Sequence, residues 1–93
     1  MLDLKAIEVK LLNKSGLHAR PAVRFVQLAS KFKSTIEVCK HEKCVNAKNI
    51  LQILSLGVDF GDVIMLKVNG DDEDQAYNEL LNLLIKVLPE EDK

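Results

Sequence analysis

The chain has 93 residues, with 13 lysines and arginines against 14 aspartates and glutamates, a formal net charge of −1. That length accommodates one core, burying roughly 60 to 65% of the unfolded surface, so residues 1–93 are read as a single domain. Balanced charge, 4% aromatic residues and no tryptophan count against a nucleic-acid binder, which calls for a basic face and stacking rings. With no signal-peptide pattern and no bilayer-length apolar run, a cytoplasmic protein that does not insert in membranes is expected.

From Leu4 to Leu12, the apolar residues Ile7, Val9 and Leu11 alternate with Glu8 and Lys10, the period of a half-buried strand. Asn13 to Gly16 reads as a turn. Ala19 to about Lys31 then has helical periodicity, with Ala22, Phe25, Val26, Ala29 and Phe32 on one side and Arg20, Arg24, Gln27 and Lys31 on the other. Pro21 suits the first turn of that helix, where the amide hydrogen it lacks would have no partner. Thr35 to Lys40 and Lys43 to Asn46 read as a hairpin around His41-Glu42, a pair ill-suited to a tight two-residue turn, so a looser turn is expected.

Cys39 and Cys44 flank that turn and would oppose each other on the open side of the sheet. A cytosolic setting favours free thiols, with an oxidisable pair and a soft-metal site including His41 as alternatives. Asn46 to Leu56 reads as a short helix capped by Asn46 or Asn49 and ended by a left-handed Gly57. Its apolar set, Ile50, Leu51, Ile53, Leu54 and Leu56, is wider than one buried stripe requires, so part of it should be exposed. A turn at Asp59 to Asp62 leads to a strand, Val63 to Val68, with Ile64, Leu66 and Val68 on one side.

The last helix, roughly Asp72 to Leu88, should bury Ala76, Leu80, Leu81, Leu84 and either Val87 or Leu88. Asp72 and Gln75 are spaced as a capping box; the helix should stop before Pro89 and leave Glu90 to Lys93 frayed. The βαββαβα order implies an α+β fold: an open-faced β-sandwich, with a four-stranded antiparallel sheet carrying three helices on one face.

The chemistry is concentrated at the start of the first helix. Helix N-termini favour acids, yet this one carries Arg20 and Arg24, with no carboxylate between Asn13 and Phe32. Unpaired amides, the helix dipole and two guanidinium groups would form an anion site around His18, with phosphate the best fit. Nearby positive charge favours a neutral imidazole, which is a nucleophile and can accept a phosphoryl group. The plainer alternative is a polar cap with two solvated arginines.

Two stretches, Gly16-Leu17-His18-Ala19-Arg20-Pro21-Ala22 and Val45-Asn46-Ala47-Lys48-Asn49-Ile50 through Leu54-Ser55-Leu56-Gly57, resemble the histidine-containing phosphocarrier (HPr) family of the bacterial phosphoenolpyruvate-dependent phosphotransferase system. The resemblance implies a carrier, not an enzyme in the ordinary sense, that takes a phosphoryl group from phospho-enzyme I on Nδ1 of His18. It would pass the group to the IIA components of sugar permeases. Arg20 and the Ala19 region would hold the phosphate, without metal or organic cofactor. Partner docking would use Ala19, Arg24, Gln27, Ile50, Leu51, Leu54 and Ser55, and a monomer would suit such exchange.

In many Gram-positive relatives a regulatory serine stands where this chain has Asn49, which has no hydroxyl to phosphorylate. Alternatives are a paralogue serving a nitrogen-related or regulatory branch, with regulatory proteins as partners, or a docking module of the same fold that is never phosphorylated. His18 argues against the last, because relatives that have lost carrier activity replace that residue.

Overall fold

The computed structural model describes residues 5–93. Four strands, β1 (Lys5–Lys10), β2 (Thr35–Lys40), β3 (Lys43–Asn46) and β4 (Val63–Asn69), form one antiparallel sheet in the order β1-β4-β2-β3. The first strand is described from Lys5, and the expectation that it includes Leu4 falls outside the described residues. Alternation decides which face is covered: Val9, Ile36, Val38, Ile64, Leu66 and Val68 are buried on one side. Registers such as Val9 with Ile64 and Val38 with Leu66 stack these side chains in rows under the helices.

Helices α1 (Ala19–Ala29), α2 (Ile50–Leu56) and α3 (Glu73–Asn82) close the core. Phe25, Ile53, Leu80 and Leu84 are fully buried, and the opposite face of the sheet stays open. This is the expected open-faced sandwich. Asn49 caps α2, its side-chain oxygen accepting from the Gln52 amide at 3.1 Å, and Gly57 ends the helix at φ +71°.

Several local expectations are overturned. The third helix does not stop before Pro89. It passes through a π-helical segment, Leu83–Val87, into a last turn, α4 (Leu88–Glu91). Proline removes one hydrogen bond and crowds the carbonyl four residues back, and a widened turn just ahead of it lets the chain continue. The tail is therefore docked: the Asp92 carboxylate accepts from Asn13 Nδ2 (3.0 Å), Ser15 N (2.7 Å) and Ser15 Oγ (3.1 Å).

The Asp72 capping box is also absent. Its carboxylate instead accepts from the amides of Lys33 and Ser34 and from the Ser34 hydroxyl, tying the start of α3 to the turn before β2.

Finally, Cys39 and Cys44 are joined in a disulfide, not free. The hairpin is tight after all, with His41 at φ +56°, which pairs the two cysteines directly across the strands with Cα atoms 4.0 Å apart. With both sulfurs bonded, the soft-metal alternative loses its thiolate ligands.

Candidate functional site

The loop that carries His18 is fixed before the helix begins. Gly16 takes φ +59°, and a Cβ there would fall 2.3 Å from the Val58 carbonyl oxygen and 2.7 Å from Asp59 Cα. Only glycine lets the two loops touch this closely. The Leu17 amide adds a hydrogen bond to the Val58 carbonyl at 2.9 Å, and the Leu17 side chain is fully buried beside it.

His18 is the N-cap of α1, with extended backbone (φ −123°, ψ 166°). Ala19 follows at φ +51°, a left-handed conformation costing an L-residue about 1 to 2 kcal/mol. The first intrahelical bond runs from the Ala22 amide to the His18 carbonyl at 3.3 Å. The amides of Ala19 and Arg20 therefore precede the bonded ladder, and Pro21 has none to place.

An N-cap side chain ordinarily accepts from its own helix. The His18 ring does not. It turns to the α2–β4 loop, where Nε2 lies 2.8 Å from Asp59 Oδ1. A carboxylate only accepts, so Nε2 carries a proton, and in the neutral ring the lone pair is then on Nδ1. Among the described residues Nδ1 has no protein hydrogen-bond partner, and the ring is 39% exposed. It is neither sealed in the core nor loose on the surface.

The charge around it departs from the expectation of an acid-free site. Sequence proximity holds no carboxylate, yet the fold brings in Asp59, and Arg24 is paired with Glu91 from α4. Arg20 is exposed and, among the described residues, takes part in no ion pair or side-chain hydrogen bond. It lines a depression with Ser15, Ala19, Pro21 and Asp92 at the head of α1. Arg24 and Glu91 line the same depression, so of its two arginines Arg20 is the one without an ion-pair partner among the described residues.

The family profile described as the PTS HPr component phosphorylation site matches residues 5–86. The chain belongs to the HPr family. It is 45% identical over 82 residues to the HPr-like protein Crh of Halalkalibacterium halodurans, covering 88% of this chain and 95% of that one. With the phosphocarrier protein HPr of Lysinibacillus sphaericus it shares 39% over 84 residues, 90% and 96% of the two chains. HPr from Thermoanaerobacter tengcongensis, solved as HPr-C-His, superposes with a TM-score of 0.84 at 52% identity, covering 86% and 90%. Solved as an HPr dimer, it gives 0.73 at 50%, covering 90% and 97%.

In this HPr-family chain the expected docking residues fall into two groups. Leu51 is 75% exposed and Leu54 39%, while Ala19, Gln27 and Ser55 are also exposed. Ile50 is half-buried against the core, and Arg24 is held by Glu91. Phe60, 64% exposed in the loop that carries Asp59, was not anticipated, nor were Asp59, Glu91 and Asp92. Nothing in the local sequence marks Asp59, Glu91 or Asp92, because each acts across a sequence separation of 41 or more.

No helix among the described residues is long and apolar enough to cross a membrane.

Proposed function

We propose that this HPr-family protein accepts a phosphoryl group from phospho-enzyme I on Nδ1 of His18 and delivers it to IIA components of sugar permeases in the cytoplasm. The observation that carries the reading is the state of His18: partly exposed at the head of α1, with Nε2 committed to Asp59 and Nδ1 unengaged. Phosphoryl transfer needs a positioned nucleophile and compensating positive charge more than it needs acid or base chemistry. Arg20 and the leading amides of α1 supply that charge, and no cofactor takes part.

Leu51 and Leu54 form the apolar centre of the docking surface. Ala19, Gln27, Ile50, Ser55 and the Arg24–Glu91 pair border it. Such a small patch suits brief visits by several partners, and a monomer would serve them; light scattering tests that state against a dimer.

Labelled phosphoenolpyruvate with enzyme I should place an acid-labile, base-stable label on the protein. His18→Ala should remove it completely while the fold persists. A protein that takes no label refutes the carrier reading. Transfer onward to a panel of IIA domains then separates a sugar branch from a nitrogen-related or regulatory one.

The regulatory reading has one observation in its favour, the identity with the HPr-like protein Crh. Asn49 weighs on regulation from another side. It caps α2 as a serine would, yet it offers a kinase no hydroxyl. Incubation with the serine kinase and ATP should leave α2 unmodified; phosphate at position 49 or a stoichiometric acid-stable phosphoserine elsewhere in α2 would refute this.

A further inference from the structure

Asp59 lies outside both motifs that identify the family, and its position is unusually well determined. Gly16 abuts its backbone, and the Leu17 amide bonds to the neighbouring Val58 carbonyl. The Asp59 amide donates to Asp62 Oδ2 at 2.8 Å, and Asp62 is in turn held by Lys40 Nζ at 2.9 Å. The Asp59 amide first, and the Lys40 ammonium after it, hold the Asp62 carboxyl below its ordinary range, so this anchor stays ionised. The Asp59 side chain thus leaves a braced turn, and its oxygen stands 2.8 Å from Nε2 of His18.

The pair is not there for stability. Its members are 39% and 70% exposed, and ion pairs that solvent reaches this freely contribute little to folding. What the contact does fix is the ring. Without it, the imidazole could rotate about its bond to Cβ and shift its proton between the two nitrogens.

We propose that Asp59 is a positioning residue for phosphoryl transfer at His18, holding Nε2 protonated and Nδ1 open and facing the positive charge the ring gains on phosphorylation. The proposal rests on the carrier reading above. In the forward step the Nδ1 lone pair forms a bond to phosphorus while the bond from phosphorus to the donor's histidine nitrogen breaks, its electron pair returning to the donor. Nε2 keeps its proton throughout, so the ring becomes a cation, and the Asp59 carboxylate lies against it. In onward transfer the Nδ1–P bond breaks, its pair returns to Nδ1 and the ring is neutral again. No proton has to move in either direction. Arg20, which has no ion-pair partner among the described residues, is the cation that would meet the phosphoryl group at the head of α1.

The test uses two variants of the full chain, Asp59→Ala and Asp59→Asn, with nitrogen-15 NMR of the His18 ring and the initial rate of labelling by enzyme I and phosphoenolpyruvate. In the unsubstituted protein at a pH where the ring is neutral, Nε2 should resonate as a protonated nitrogen and Nδ1 as an unprotonated one. Asp59→Ala should draw the two signals towards each other and slow labelling about tenfold, the scale of a lost orientation. Asp59→Asn keeps an oxygen acceptor but no charge, so the signals should stay separated while the rate falls between the other two. A role limited to bracing the loop would not give this split.

Unchanged ring signals in Asp59→Ala overturn the proposal, and so does a labelling rate equal to that of the unsubstituted protein. If the signals respond as expected but the unsubstituted protein takes no label, the carrier reading alone falls, and the hold of Asp59 on the ring stands.

Discussion

Two helix starts in this protein are built in opposite ways. At α3 the acids expected from the helix dipole are present and fully engaged: Asp72 accepts from Ser34 Oγ at 2.6 Å and from the Lys33 and Ser34 amides, and Glu73 accepts from the Gly70 amide at 3.0 Å. The Ser34 hydroxyl, followed by the Lys33 amide, lowers the Asp72 carboxyl to about 2. At α1 the first turn holds no acid, the N-cap side chain turns away from its own helix, and Ala19 carries backbone strain. The contrast is between a helix start whose acids are tied to the preceding turns and one that holds no acid and whose cap side chain is turned to another loop.

The most severe way to break the contrast is Gly16→Ala. The added methyl group meets the Val58 and Asp59 backbone, and the left-handed φ disfavours alanine as well. A loss of about 2 to 4 kcal/mol is expected in urea unfolding, together with slower labelling of His18, because both loops of the site must shift.

Arg20→Ala should leave unfolding unaltered, since its guanidinium supports no other residue, but reduce the phosphorylation rate on the order of 100-fold, the scale of one lost charge-stabilising donor. Arg24→Ala should cost much less, because that side chain is already neutralised by Glu91. Equal losses in the two variants would mean that the site does use both arginines.

Within α2, Leu51→Ala should weaken binding to enzyme I about tenfold with stability unchanged, as expected for an exposed apolar contact at a docking centre. Ile53→Ala, two residues away and fully buried, should cost about 2 to 4 kcal/mol in folding. Calorimetric binding and urea titration of the two variants separate surface from core on one short helix.

The smallest effect concerns acid. A carboxylate held lower in the folded than in the unfolded chain stabilises the fold above the unfolded value and ceases to as the pH drops through the folded one. For Asp72 that contribution is complete above about pH 4 and lost between 4 and 2. Asp92, also depressed, chiefly by the Ser15 amide and then by Asn13, adds to the same limb. Asp72→Asn should lower the thermal midpoint at pH 7 and flatten its fall below pH 4, without touching the labelling of His18.

The strands and helices were legible because each has one dry face. Alternation at Ile7, Val9, Ile64 and Leu66, and helical spacing at Ala22, Phe25 and Ala29, are burial written at the period of the backbone. The caps at Asn49 and Gly57 were equally local. Pro89 misled because a proline bars an ordinary α-helical turn, whereas packing of Leu84 and Leu88 against the core favours continuing, and a π-helical segment reconciles the two. The cysteines misled for a different reason: the expected compartment argued for thiols, while cross-strand register put the two sulfurs together.

His18, Arg20 and the helix start that holds them were set by the sequence alone, since a glycine, a histidine and a proline at fixed spacing act through the neighbouring backbone. Which groups surround that imidazole was decided only by folding. Asp59 arrives from 41 residues away, and Glu91 reaches Arg24 across 67. Contacts of that separation depend on how whole elements stack, and no local pattern of residues records them.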